Sequence, residues 1–512
     1  MSGTDTNKNS RIARNTLFLY IRMFFAMAVT LYTSRVLLKT LGVVDFGVNN
    51  VVAGFVTMFS FLNTSLIGSI QRYYNFERSV NGEVGIRNVY RTSMRIQVIL
   101  SCIVFVLIEG FGVWYLNTIM NIPDDRIYAA NILLQSSTIS LILLILSVPF
   151  SAAIISFEHM DYYAFVGVFD VILKLLIVLV LPYLGHDKLI VYACLLIIVS
   201  VSNFILYYVY ARRKLGLIYS KSDCDPALMK SMLVFSGWNF FGTFSNVIYQ
   251  QGINLLLNFY FGPIINAARA IAAYVSNAVT GFSSNIVVAF RPQLVEAYAE
   301  HNYSRVKKIM YSESKISYIM LLILIVPLII EVDFILGVWL GDAPESSGIF
   351  TILSLLVTLI SVLNIPFAQI VHASGKMKKF QLITGGITCL IIPLGWLGFR
   401  AGYSPTSIFV IALFLSVLTQ LACIIIVRSI FDYDLKYYIF KVLLPLLVAT
   451  CVVPIIPWLI ISYVVEQSLL RFLLVTTVST LIIVAYTYFI LLNSDERAMV
   501  HKLLNKWKRR KS

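Results

Sequence analysis

The chain has 512 residues, of which 59% are hydrophobic and only 13% charged, with a mean hydropathy of +0.84. That excess of apolar residues is more than a soluble core of this size requires and points to a polytopic membrane protein. The net charge of +15 does not signal nucleic acid, which is not expected as a partner, because the basic residues collect at alternate connections.

A span needs about 20 mostly apolar residues, and the chain offers about fourteen such stretches: 14–40, 44–71, 95–117, 129–154, 160–184, 188–211, 230–260, 264–290, 314–340, 348–373, 379–400, 405–428, 437–464 and 468–492. The fold class expected is all-α, with no room for a soluble domain. Basic residues before the first stretch are followed by a long apolar run without a small-residue cleavage site, which reads as a first span rather than a cleaved signal. Lys and Arg gather before span 1 (Lys8, Arg11, Arg14), after span 2 (Arg78, Arg87, Arg91), after span 6 (Arg212, Arg213, Lys214, Lys221) and in every second connection thereafter. The intervening connections are short and poor in bases. By the positive-inside bias both termini are cytoplasmic.

Span 1 carries Arg22 about a third of the way in, counting about 1.5 Å of rise per residue, and Arg35 near its outer end, where snorkelling explains it equally well. Span 2 has a polar stripe of Asn50, Thr57, Thr64 and Gln71 that ends at Arg72. The third to sixth spans have fewer polar positions, and the spans beyond the eighth read mainly as scaffold. Glu109 lies near the outer end of span 3, where exposure to water is the simplest account. In span 5, Asp170 and Lys174 are one turn apart. Either they neutralise each other locally, or they face the lumen and bias two conformations, so Asp170, Lys174, Arg72 and Arg291 are candidates for coupling or gating.

Spans 7 and 8 hold the longest polar stripes. Asn239, Thr243, Asn246, Gln250, Asn254 and Asn258 recur on one helical face, and Asn266, Arg269, Ser276, Asn277, Thr280 and Ser284 share a face of the next helix. Polar groups cannot face hydrocarbon cheaply, so these stripes line a wet cavity or serve as interhelical glue. The candidate cavity residues are Arg22, Arg269, Asn50, Thr57, Asn239, Asn246, Gln250, Asn254 and Asn277. Leu41-Gly42 and Phe261-Gly262 each precede a polar-striped helix that ends in an arginine, Arg72 or Arg291. The offset of about 220 residues predicts two pseudo-symmetric six-helix lobes of like orientation, 1–215 and 216–432. A helix pair at 433–493 and a basic amphipathic tail at 494–512 follow, the tail suited to anionic lipid.

The six cysteines support neither a disulfide framework nor a metal site, and no P-loop or HExxH motif occurs, so neither an enzyme nor a cofactor is expected. The stretches Ser34-Arg35-Val36-Leu37-Leu38, Leu41-Gly42-Val43-Val44-Asp45-Phe46-Gly47, Arg72-Tyr73, Ala267-Ala268-Arg269 and Phe290-Arg291-Pro292-Gln293-Leu294 resemble the multidrug/oligosaccharidyl-lipid/polysaccharide (MOP) exporter superfamily. Within it the layout resembles the Wzx-type flippases of bacterial O-antigen and capsule pathways. That resemblance implies two lobes around a central cavity in the bacterial inner membrane, moving an undecaprenyl-diphosphate-linked oligosaccharide outward by alternating access. Membrane lipids and other glycan-assembly proteins are the implied partners, and H+ or Na+ the coupling ion. Lipid II flippases of similar fold carry cavity arginines on the first, second and eighth helices. Arg22 and Arg269 match the first and eighth, whereas Arg72 lies at the inner end of the second. The alternatives are a cation-coupled drug or metabolite antiporter of the same fold, whose cavity is expected to favour acidic and aromatic groups, and a membrane-embedded glycan-assembly enzyme.

Overall fold

A computed structural model describes residues 2–157, 159–216, 226–463, 467–493 and 496–497. Among these the structure is helical, with no strand. The first half runs α1 (Ser2–Thr57), α2 (Phe61–Val80), α3 (Gly82–Leu107), α4 (Val113–Thr118), α5 (Ile127–Ser156), α6 (Met160–Val180) and α7 (Lys188–Lys214). The second runs α8 (Pro226–Phe261), α9 (Pro263–Ala299), α10 (Tyr303–Ile330), α11 (Val332–Leu340), α12 (Ser347–Ser361), α13 (Asn364–Ser374), α14 (Met377–Cys389), α15 (Ile391–Arg400) and α16 (Ser407–Arg428). It ends with α17 (Leu435–Tyr438), α18 (Leu444–Val452), α19 (Ile455–Tyr463) and α20 (Leu469–Tyr486). Among the described residues each of the fourteen apolar stretches is mainly helical. Ten segments are long and apolar enough to cross a membrane among the described residues, or eleven if the bent pair α12 and α13 is one span. The basic tail lies outside the described residues apart from Glu496 and Arg497.

Local chemistry sets the helix boundaries. Gly42 (φ 80°) breaks α1 at the expected place, and Gly262 (φ 78°) separates α8 from α9. Both adopt a backbone region that costs other residues strain, so the two matching sequence positions do the same local job. Pro226 and Pro263 open α8 and α9, where a missing N–H costs nothing. The Asp187 side chain caps α7, accepting from the N–H groups of Leu189 and Ile190. Some expected single spans are broken: α10 yields to α11 at Glu331, four residues after Pro327, and π-helical turns at Ile108–Gly112, Ile439–Leu443 and Thr487–Leu491 interrupt others.

Packing groups the chain into two units. Unit 1 comprises 1–270 and 388–408, and unit 2 comprises 271–387 and 409–512. In unit 1, α5 packs on α7, α1, α2 and α3, while α8 lies on α2 and α15 on α8. In unit 2, α10 is the centre, touching α12, α13, α18 and α20. The lobes expected at 1–215 and 216–432 follow a sequence repeat, whereas these units follow contact, and contact places α8 with the N-terminal helices. Val48, Phe55, Leu134 and Ile145 are fully or almost fully buried in one core of unit 1, and Tyr318, Phe367, Tyr438 and Val442 in that of unit 2. Large apolar side chains such as Ile425 and Phe489 are 70% exposed, the inversion expected where the outer surface meets hydrocarbon.

Two acid–base clusters tie helices together. In unit 1, Arg126 Nε donates to Asp45 Oδ1 at 2.7 Å and its Nη1 to Asp187 Oδ2 at 2.6 Å, joining α1, α5 and α7. In unit 2, Arg471 forms a fork to Glu331, Nε to Oε1 at 2.8 Å and Nη2 to Oε2 at 2.6 Å. Planar guanidinium and carboxylate match in that bidentate geometry. Glu109 is not simply solvated, because its Oε2 accepts from Gln135 Nε2 at 3.1 Å.

Candidate functional site

The polar face of α8 changes character along its length. Asn258 clamps one peptide group: its Oδ1 accepts from Asn121 N at 2.9 Å and its Nδ2 donates to Asn121 O at 3.1 Å. One turn earlier, Asn254 Nδ2 donates to Asn50 O at 2.9 Å, and Asn266 Nδ2 donates to Asn254 Oδ1 at 2.7 Å. These three amides are buried and stitch α8 to α1, to the start of α9 and to the connection at Asn121. Small residues allow the approach. A Cβ on Gly54 would come within 2.6 Å of Asn254 Nδ2, and one on Gly47 within 1.9 Å of Pro263 O. The hydrogen bonds of Asn254 therefore make it glue between helices.

Further toward the start of α8, Gln250 and Asn246 are exposed. Arg269 reaches this region from the first turns of α9. Its Nη2 donates to the Gln250 backbone oxygen and weakly to Gln250 Oε1 at 3.4 Å. Its Nε is buried without a hydrogen-bond partner, and no ion pair to Arg269 occurs among the described residues. An arginine without a carboxylate beside exposed amides is arranged to receive an anion or the oxygens of a polar ligand. Thr57 is exposed, and Gln251 Nε2 donates to its Oγ1 at 3.2 Å. Asn50 turns its own Nδ2 back to Phe46 O at 2.7 Å.

The remaining sequence candidates are dispersed. Asn277 and Arg291 are exposed on the part of α9 that belongs to unit 2, and Arg72 is exposed on α2. Arg22 lies on α1 and Asn239 on α8, but their side chains fall outside the described residues. Unit 1 thus brings Asn50, Thr57, Gln250, Asn254 and Arg269 into one neighbourhood.

Asp170 and Lys174 follow the first of the two readings offered by the sequence, local neutralisation. Lys174 Nζ donates to Asp170 Oδ2 at 2.8 Å, so they do pair. They also line a cavity of about 540 Å³ inside unit 1, together with residues of α1, α5 and α7. Sequence reasoning missed the other polar walls of this cavity. Ser136, Ser140 and Ser147 recur at i, i+4 and i+11 on α5, and Ser200, Asn203 and Tyr207 at i, i+3 and i+7 on α7, so the periodic signal was present in spans credited with few polar positions. Among the described residues no cluster of three or more His, Cys, Asp or Glu could hold a metal ion.

No family model matches the chain, and no curated protein sequence does. Solved structures do. An inward closed conformation of the lipid II flippase MurJ matches with a TM-score of 0.62 at 14% identity, covering 92% of this chain and 99% of that one. This protein has the fold of the MOP transporters. A MATE multidrug transporter of the MOP superfamily in its inward-facing conformation matches with a TM-score of 0.59 at 12% identity, over 80% of this chain and 98% of its own. The MATE multidrug transporter DinF-BH, solved as a complex, reaches 0.62 at 17% identity, over 83% and 97%. The MOP fold and the many apolar helices together describe a multi-pass membrane protein, and the similar structures are transporters and flippases rather than enzymes.

Proposed function

We propose that the protein is a flippase that carries an undecaprenyl-diphosphate-linked oligosaccharide, an O-antigen or capsule repeat unit, from the inner to the outer leaflet of a bacterial cytoplasmic membrane. The observation that carries this reading is Arg269, whose guanidinium has a buried Nε without a partner and no carboxylate beside it among the described residues. A diphosphate presents clustered negative oxygens that arginine holds by charge-assisted hydrogen bonds, and exposed amides such as Gln250 and Asn246 suit sugar hydroxyls. The match to MurJ over nearly all of both chains supports a lipid-linked substrate. An antiporter for cationic drugs, the other activity met on this fold, is disfavoured because a lone arginine repels such cargo.

In this reading the fourteen spans leave both termini in the cytoplasm. The α8 stripe is sealed by Asn254 and Asn258 at its outer end and uncovered around Asn246 and Gln250. The polyprenyl tail stays in lipid while the head group crosses. Alternating access needs two states within a few kcal/mol, shifted by substrate or by a coupling H+ or Na+, with Asp170, Lys174, Arg72 and Arg291 as its gating candidates. Arg22 on α1 is proposed as the second half of the phosphate clamp. Expression of Arg269→Ala and Arg22→Ala in a strain lacking the chromosomal gene is expected to reduce surface glycan at least about tenfold, the worth of one charge-assisted hydrogen bond, with Lys rescuing only in part. Undiminished glycan at normal protein level defeats the proposal.

A further inference from the structure

The cavity inside unit 1 is walled by Thr57 of α1, Ser140 of α5, Asp170 and Lys174 of α6, and Asn203 and Tyr207 of α7. Its volume of about 540 Å³ lies in the range of roughly 300–1,000 Å³ that small-ligand sites occupy. The acid in this cavity is already engaged. Lys174 Nζ donates to Asp170 Oδ2 at 2.8 Å and Asn203 Nδ2 to Asp170 Oδ1 at 2.7 Å, so the two charges cancel and a soluble cation would have to displace the lysine. What is left unpaired is neutral: Ser140 Oγ and Asn203 Oδ1 are buried and have no protein hydrogen-bond partner. Buried polar groups of native proteins are normally satisfied, so an orphan donor-acceptor and an orphan acceptor in one cavity are places for a ligand's own hydroxyls. Lys174 adds donors beyond the one spent on Asp170, and Tyr207 adds an aromatic wall.

We infer that this cavity is a sugar-binding site, in which Asn203 Oδ1 accepts from ring hydroxyls, Ser140 Oγ and Lys174 Nζ donate to them, and Tyr207 borders the ring. The site is separate from the Arg269 region, although Thr57, held by Gln251 of α8 at 3.2 Å, belongs to its wall. It rests on the flippase reading only for the origin of the sugar, the head group of a lipid-linked glycan rather than free saccharide.

Saturation-transfer NMR on the full chain in nanodiscs tests it, with maltose as the free-sugar probe and dodecyl maltoside as the lipid-anchored one. Transfer to ring protons above that of empty nanodiscs is expected, and about tenfold weaker binding in Asn203→Leu and Ser140→Val, the loss of one buried hydrogen bond. Binding of maltose, or of dodecyl maltoside alone, supports the site and identifies the source of the sugar. Transfer no greater than in empty nanodiscs for both probes, from protein that unfolds cooperatively, overturns the inference. So does unchanged binding in both variants. If the probes fail while Arg269→Ala still abolishes glycan display, this inference alone falls; if they bind while display ignores Arg269, the phosphate clamp alone falls.

Discussion

Two acid–base pairs of the same chemistry sit in different surroundings. In unit 1, the Asp170 and Lys174 side chains are 25% and 50% exposed and border a cavity. In unit 2, those of Glu331 and Arg471 are 0% and 5% exposed, and they bridge the break between α10 and α11 to the first turn of α20. The Arg126 cluster, at 19% for the arginine and 31% for Asp187, stands between them. A pair that borders open space can exchange partners at small cost, whereas a buried one cannot lose a member without stranding the other. Unit 1 keeps its polar groups where a ligand could use them, and unit 2 spends this pair on holding helices together.

Breaking the buried pair is expected to have the largest effect. Arg471→Met should lower the unfolding free energy by about 3–5 kcal/mol because Glu331 is left uncompensated. Measured by denaturant unfolding of the full chain, the double variant with Glu331→Gln should recover most of that loss. A loss in the single variant near that of an exposed pair would erase the contrast between the units.

The Arg126 cluster predicts an intermediate effect that depends on pH. Partial burial pushes the Asp187 carboxyl up, but the hydrogen bond and charge of Arg126 and the N–H groups of Ile190 and Leu189 outweigh it and hold Asp187 below the usual carboxylate range. With a depressed value in the folded state, the stabilisation is present above the unfolded carboxylate pKa of about 4 and is lost as pH falls through the folded value. Thermal midpoints should drop on acidification below that pH in the parent, and Asp187→Asn should flatten the drop. An equally steep acid limb in the variant would assign the acid sensitivity elsewhere.

The smallest expected effect belongs to the cavity pair. Lys174→Ala should cost within about 1 kcal/mol, as for exposed pairs, while weakening maltose binding. A larger loss of stability would mean that this pair, like Glu331 and Arg471, is structural.

Particular residues show how far the sequence could be read. Gly42 and Gly262 stood out as punctuation because only a short list of residues tolerates their backbone geometry, and both lie where a helix breaks at φ near 80°. The α8 stripe was visible as periodicity, yet periodicity is blind to what lies opposite. Gln250 and Asn254 are one turn apart, but Asn254 meets Asn50 and Asn266 and becomes glue, while Gln250 is left exposed and holds Arg269 through its backbone oxygen. The serines of α5 shared a face in plain view. They carry no functional signal by themselves because serine in an apolar helix commonly bonds its own backbone, as Ser147 does to Leu144 O at 2.7 Å, and nothing local distinguishes it from Ser140.

By itself the sequence determined the all-helical class, the helix breaks at Gly42 and Gly262, and the supply of amides and arginines in membrane-length helices, because these depend on hydropathy and local backbone preference. Only the tertiary structure decided which of those polar groups are spent. The pairing of Arg126 with Asp45 and Asp187, of Glu331 with Arg471, and of Asn203 with Asp170 joins residues far apart in the chain. A buried polar group's role is set by whichever partner packing brings within hydrogen-bond reach, and that partner is not a local property of the chain.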